Sequence, residues 1–520
     1  MQGDVSLYCI LTNKDIVKFY QEEIRACLLE DKNSAELLLD QYVKLRTFDR
    51  SNYFFQVCLS HEDKEHILIK YINSDYANPN YIKLILESMS SSELRISPLV
   101  KLKAKNRYDE EMDRLFKNSS GFTYGAQVTF ADNQDEEVKC EVKNHDIHIL
   151  YSTKWIKENR DYATLLNNFI YLFGFTDLQF RMLHVHKMAS MSIFEKILGV
   201  RGKNEYLMGV AFNQIQCLAT VQTIAYYEEL KRNGIRMEVI LEWFFSDYLK
   251  EEFGVEEFDL NLPSEQSTYL EKCRTIASEI DSILKQYKLF IENKEVNEDL
   301  FRLSSEHIFI KDIPSQIENK YIYPIGREYA KASNLLFSDQ SNLNYVKGKK
   351  NNYKCFNKLI QNEEVKKSDF REYQLNEINW LIDNGYLYED NKGILETNKN
   401  RVWFLKEFYY NDVISNYYVK GFREDIKEFE VKDMIEFKSS LLSKPEQDYY
   451  NYIMNKSEFS NGLDLRNSYI HGTQSRDTKQ HKHDYFTFLR VLILIVIKIN
   501  EEFCIAKNEH KVVSIKNTSS

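Results

Sequence analysis

Proline and glycine are scarce, at 6 and 16 of 520 residues. So few enforced breaks argue against a sandwich of many tight turns and for long helices. The eight cysteines Cys9, Cys27, Cys58, Cys140, Cys217, Cys273, Cys355 and Cys504 stand singly. Without a CxxC pair there is no signal for zinc or redox chemistry, and scattered thiols suit a reducing cytosol. No GxxxxGK[ST] phosphate loop, GxGxxG turn or HExxH helix occurs, which sets aside nucleotide-powered switching and zinc proteolysis. The most apolar stretch, Val491 to Ile497, is followed by Lys498, Glu501 and Glu502, well short of the roughly 20 residues that cross a bilayer. It reads as a buried helix. The start, MQGDVSLYCILTNKD, has no basic opening, apolar run and small-residue cleavage site, so export is not expected and the location is read as cytoplasmic. No internal repeat is found.

What is present is globular. A hydrophobic share of 43% and a charged share of 28% allow enough burial to offset the ordering entropy. Single cores stop growing at roughly 250 to 300 residues, so more than one domain is expected. The net charge of -10 repels a polyanion as a whole, and any RNA contact must be local.

From Asn13 to about Leu45 apolar residues recur at helical spacing: Ile16, Phe19 and Tyr20, then Ile24, Cys27 and Leu28. A second helical stretch around Tyr81 to Met89 precedes the loop Ser90 to Ser92. The period then changes to two. Ala126, Val128 and Phe130 alternate with polar residues, as do Val138, Cys140 and Val142, and Ile147, Ile149 and Tyr151 after Lys143-Asn144-His145-Asp146. This predicts a strand and then a hairpin. Helical spacing returns from about Tyr162 and runs through Leu207 to Lys231, Ile235 to Lys250 and, after Pro263, Ser267 to Phe290. Residues 1–305 are therefore expected to form a mainly helical sensing or regulatory domain with a small sheet.

Residues 306–354, rich in Asn, Ser and Lys toward Lys347-Gly348-Lys349-Lys350, read as a linker. Across 355–410 the order is a helix near Cys355 to Gln361, a turn at Lys367-Ser368-Asp369, a helix from Gln374 to Asp383, and a hairpin around Asp390-Asn391-Lys392-Gly393. This pattern resembles a winged helix. Its would-be recognition helix and approach carry Glu372, Glu377 and Asp383, acids where phosphate contact needs bases, so a docking role fits better than DNA reading.

The chemistry lies in Asn461-Gly462-Leu463-Asp464-Leu465-Arg466-Asn467-Ser468-Tyr469-Ile470-His471-Gly472, read as a short helix closed by glycine. Asn467 and His471 are four apart and share a face, so the amide is placed to hold the imidazole in one tautomer. Arg466 offers a fixed guanidinium fork for a phosphate. These residues resemble the R-x4-6-H motif of HEPN domains, and the resemblance spans about Asn411 to Asn508. Flanking helices are expected near Asp412 to Lys420, Phe429 to Leu442 and Pro445 to Asn455, with a last helix from about Asp484 to Lys507. The expected fold is thus mainly α: a helical α+β N-terminal region, a winged-helix-like middle, a HEPN bundle over 411–510 and a tail over 511–520.

The resemblance implies a dimerising helical bundle in which two motifs meet at a composite RNA-cleaving site. The substrate's ribose 2′-hydroxyl attacks the adjacent phosphodiester, leaving a 2′,3′-cyclic phosphate and a 5′-hydroxyl. No metal or cofactor is then required, because the nucleophile is already in the substrate. In that reading Arg466, Asn467 and His471 are catalytic: His471 moves protons, Arg466 stabilises the transition state, and Asn467 orients His471 or a phosphate oxygen as well. DNA lacks the hydroxyl and should survive. Architectures of this kind resemble abortive-infection and toxin proteins of phage defence, with RNA, a second copy and a phage or antitoxin protein as partners. Arg476, Lys479 and Lys482 form the local basic patch expected to touch RNA backbone, on a loop that includes His481-Lys482-His483. His184-Val185-His186 reads as a packed or surface pair. Two rival readings stay open: a non-catalytic HEPN scaffold and a winged-helix DNA-binding regulator.

Overall fold

The computed structural model describes residues 7–46, 52–117, 125–143, 146–197, 199–303, 308–346, 348 and 353–518. It is mainly helical, with 60% helix and 9% strand. Two compact units emerge, and neither follows the boundaries expected from sequence. The first joins 1–125, 192–208 and 451–467; the second joins 126–191, 209–450 and 468–520.

In the first unit the helices start where short polar side chains take up free backbone donors. The Asn13 carboxamide oxygen accepts from the amides of Asp15 and Ile16, and Ser60 and Asp63 form a reciprocal capping box on His61–Ile72. Pro79 and Pro98 occupy first-turn positions behind Asn78 and Ser97. The buried register differs from the expected one. Val17, Ile24 and Leu28 are buried, whereas Ile16, Phe19 and Tyr20 are exposed. Leu38, Leu39, Phe55, Leu68, Ile82 and Ala104 complete this core. Distant segments are fastened on by backbone bonds. The Leu45 amide donates to the Arg201 carbonyl at 2.7 Å, and the Lys203 amide to that of Val43 at 2.8 Å. Tyr206 stacks on Tyr452 at 4.5 Å between centroids, and the Asn461 side chain bonds both the amide and the carbonyl of Tyr206.

The second unit is built on the helix Thr478–Thr518. The expected stripe from Phe488 to Phe503 is buried, and so are Ile493, Leu494 and Ile497, so the helix is enclosed on every side between Asp484 and Ile499. It packs along Tyr269–Asn293, whose start is capped by Thr268 and Glu271. The strand Ala126–Ala131 and the hairpin strands Val138–Lys143 and Asp146–Ser152 form as the alternation predicted. The last strand is central, parallel to the first and antiparallel to the second. The hairpin's turn residues Asn144 and His145 lie outside the described residues.

The linker expected over 306–354 is instead largely core. Tyr321–Pro324 is the middle strand of a sheet flanked by Ile414–Ser415 and Ile435–Lys438, and Gly326–Phe337 is a helix that buries Ala332, Leu335, Leu336 and Phe337. Of the Lys347-to-Lys350 run, only Gly348 is described. The helices expected at Asp412 to Lys420 and Phe429 to Leu442 are replaced by these flanking strands, a 3-10 turn at Asn416–Phe422 and a helix at Arg423–Val431. Asp412 and Asp433 both adopt left-handed backbone, at φ 65 and 50, and each turns the chain out of a helix before a strand. Over the middle region the elements are Phe356–Asn362, a 3-10 turn at Lys367–Asp369, Glu372–Asp383, and an antiparallel pair, Leu387–Glu389 with Leu395–Thr397. Among the described residues, no helix is long and apolar enough to cross a membrane.

Candidate functional site

The approach to the motif helix is tightly constrained. A Cβ on Gly462 would lie 2.9 Å from the Asn455 carbonyl oxygen and 3.1 Å from that of Phe459, so only a residue without a side chain fits. Asp464 follows with left-handed backbone at φ 56, and the helix Leu465–His471 begins directly after it. Leu465 and Tyr469, four apart, are its buried face. Gly472, at φ 76, ends the helix as predicted, and the Thr473 amide donates back to the Ser468 carbonyl at 2.9 Å in a Schellman-type closure.

Arg466, Asn467 and His471 thus belong to one short helical segment, the first two half-buried and His471 exposed. Arg466 Nη1 donates to Asn467 Oδ1 at 3.0 Å, and Asn467 Nδ2 donates to Asp464 Oδ1 at 2.8 Å. The amide therefore links the guanidinium to a carboxylate one turn back, instead of bonding the His471 ring. Among the described residues, that ring has no hydrogen-bond or ion-pair partner. Asp464 stood in the quoted segment without an assigned role. Its signal was the spacing of three to Asn467, one turn of helix.

Tyr469 supplies an anchor that the sequence reading also passed over. Its hydroxyl donates to Asp484 Oδ2 at 2.8 Å, and Gln480 Nε2 donates to the other carboxylate oxygen at 2.7 Å. Burial, then the bond to Asp484, pushes the phenol's pKa upward.

The basic patch is distributed differently from expectation. Lys479, Lys482 and His483 sit in the first turns of the helix Thr478–Thr518, not on a loop, and Asp477 Oδ1 accepts from the Lys479 amide just ahead of it. Arg476 and Lys479 are exposed. Lys482 is half-buried and lies 3.5 Å from Glu228, which leaves it less available to phosphate. His481 is buried, and its Nε2 donates to the Ser475 carbonyl at 2.7 Å, closing the loop after Gly472. A carbonyl only accepts, so that nitrogen carries the proton. This is a structural role.

Comparison of the chain with protein-family models, with curated proteins and with solved structures gives no match.

Proposed function

We propose that the chain is a HEPN-type endoribonuclease that leaves 2′,3′-cyclic phosphate and 5′-hydroxyl ends. The reading rests on one observation: a seven-residue helix carries near its start a guanidinium held by Asn467 and at its end an exposed imidazole with no hydrogen-bond or ion-pair partner among the described residues. His471 is the proton-transfer group and Arg466 the stabiliser of charge on the phosphate. Asn467 and Asp464 act through Arg466 by restricting where its fork points. Arg476 and Lys479 extend the contact along the RNA backbone. A second copy of the chain completes the site, and the biological setting is a phage-defence or toxin system in the cytoplasm.

The region 355–410 is read as winged-helix-like and the C-terminal helices as the HEPN bundle. The exposed face of Glu372–Asp383 carries Glu372, Tyr373, Asn376, Asn379 and Asp383, an acidic surface that disfavours DNA. The DNA-regulator reading therefore has no support from this helix.

The test uses the full chain, because Thr478–Thr518 is buried against Tyr269–Asn293 and a C-terminal fragment would lose that partner. Purified protein is incubated with total RNA and with DNA of matched sequence in EDTA. Cleavage of RNA alone is expected, with cyclic phosphate ends, and Arg466→Ala and His471→Ala should each slow it by about 100-fold or more. Intact RNA with the wild type, or equal cleavage by His471→Ala, sinks the proposal.

A further inference from the structure

A cavity of about 480 Å³ lies in the second unit, beside the helix Val210–Arg232. That volume is within the roughly 300 to 1,000 Å³ typical of small-molecule sites. Its walls are apolar: Phe173, Phe175, Leu183, Ile215 and Leu218. Two cationic or titratable groups, His184 and Lys187, share the lining with the amides of Gln222 and Asn411.

His184 is only 2% exposed, and its ring meets Phe175 and Tyr449 at centroid distances of 4.9 and 5.4 Å. Neither ring nitrogen has a hydrogen-bond partner among the described residues. Burial first, and then the charge of Arg490, hold the imidazole neutral, so it presents one donor and one acceptor. Leaving such buried groups unmatched is destabilising. A core position without a ligand to serve would be better filled by an apolar ring.

Lys187 donates to Asn411 Oδ1 at 3.1 Å, which uses one of its three donors. Burial first, and then the Arg181 charge, lower the ammonium pKa against the pull of Asp177, Asp412 and Glu446. Those carboxylates act on it through space, and each is bonded to another group. Asp177 pairs with Arg181 at 2.7 Å, Glu446 with Lys498 at 2.9 Å, and Asp412 accepts from the Met188 amide at 3.1 Å.

We infer that this cavity binds a small organic monoanion with an aromatic or aliphatic body, its carboxylate on Lys187 and a second polar atom on His184. The phenyl walls take the body, and the anion supplies the direct ion-pair partner that Lys187 lacks among the described residues. A purely apolar guest would leave both polar groups unmatched. A phosphate ester would bring two negative charges against one ammonium and bury the surplus beside phenyl rings. The inference stands independently of the ribonuclease reading.

The experiment uses the full chain and 8-anilinonaphthalene-1-sulfonate as a fluorescent reporter, displaced by 4-hydroxybenzoate or by its neutral isostere 4-hydroxybenzamide. One-site saturation is expected, with the acid displacing the reporter at concentrations about tenfold lower than the amide. Lys187→Met should weaken the anionic reporter and erase that preference, while the amide's inhibition constant, corrected for reporter affinity, stays unchanged. Ile215→Trp, at a position already 40% exposed, should fill the space and remove reporter binding without lowering the thermal midpoint. Equal displacement by acid and amide with the wild type, an acid preference that survives Lys187→Met, reporter binding unaffected by Ile215→Trp, or the absence of one-site saturation each overturns the inference.

Discussion

Tyr469 is tied to Asp484 by a 2.8 Å hydrogen bond between two buried side chains, which joins the motif helix to the second turn of the helix that follows. Removing the hydroxyl leaves a buried carboxylate with one fewer donor. Tyr469→Phe should therefore lower stability by about 1 to 3 kcal/mol. Urea unfolding followed by circular dichroism measures this. RNA cleavage by the same variant should fall less than with His471→Ala, since the tyrosine positions the helix and does not touch the reacting atoms.

Asn467 holds Arg466 on one side and Asp464 on the other. Asn467→Ala should free the guanidinium and reduce cleavage by about tenfold, a loss of roughly 1.4 kcal/mol in transition-state stabilisation. Asp464→Gly makes a cleaner probe. Glycine accepts the φ of 56 without strain, so its effect reports the carboxylate alone. Cleavage kinetics for the two variants should move in the same direction, with the smaller change at Asp464.

Glu502 gathers buried partners. It accepts from Ser315 Oγ at 2.6 Å, the Gln316 amide at 2.9 Å, Lys320 Nζ at 2.9 Å and the Tyr287 hydroxyl. Glu502→Ala takes one of the two carboxylates from the buried Lys320 ammonium, leaving Glu501 at 3.3 Å, and removes the acceptor of three further donors, so it should cost about 3 kcal/mol. Lys320→Met strands the carboxylate instead. The double variant should lose less than the sum of the two, because both single changes break the same ion pair. Denaturant midpoints for the four proteins close that cycle.

Arg25 and Asp63 form a two-pronged pair, with nitrogen to oxygen distances of 2.9 and 2.7 Å. The bond from Arg25 is the main cause that holds the Asp63 carboxyl at about 2, below its ordinary 3.8. A depressed carboxyl stabilises the fold in full above its unfolded value and loses that contribution as the pH falls toward the folded one. The stability gap between wild type and Asp63→Asn should thus be constant above about pH 4 and shrink toward pH 2. Urea midpoints at several pH values across this window provide the check.

Local signals were readable from the chain. The alternation at Ala126, Val128 and Phe130 became a strand, the pattern after Pro263 became the helix Tyr269–Asn293, and Gly472 ended the motif helix with a positive φ. Each depends on neighbours within a few residues. Tyr321–Pro324 was missed because its two strand partners lie about ninety and over a hundred residues away, and because the adjacent Lys320 reads as surface although it is buried in ion pairs. The strands near Asp412 and Asp433 were missed for another reason. A left-handed aspartate leaves no mark in a helical period, so the pattern seemed to continue through it. At the site, residue types and the helix were legible. The Tyr469 to Asp484 tie and the burial of His481 depend on how the loop after Gly472 folds back, which spacing alone does not encode.

The first unit draws on stretches that end at residue 467, so its assembly waits until that residue has been made. A nascent chain leaving the ribosome can form the helices up to Phe116 early, yet Tyr206 meets Tyr452 and Asn461 only after some 250 further residues have been made. Closing so large a loop is slow and leaves apolar surface open in the meantime. Arg466 and Asn467 are part of the final stretch that completes this unit. Within this unit, the stretch that carries Arg466 and Asn467 is thereby the last to gain a folded setting.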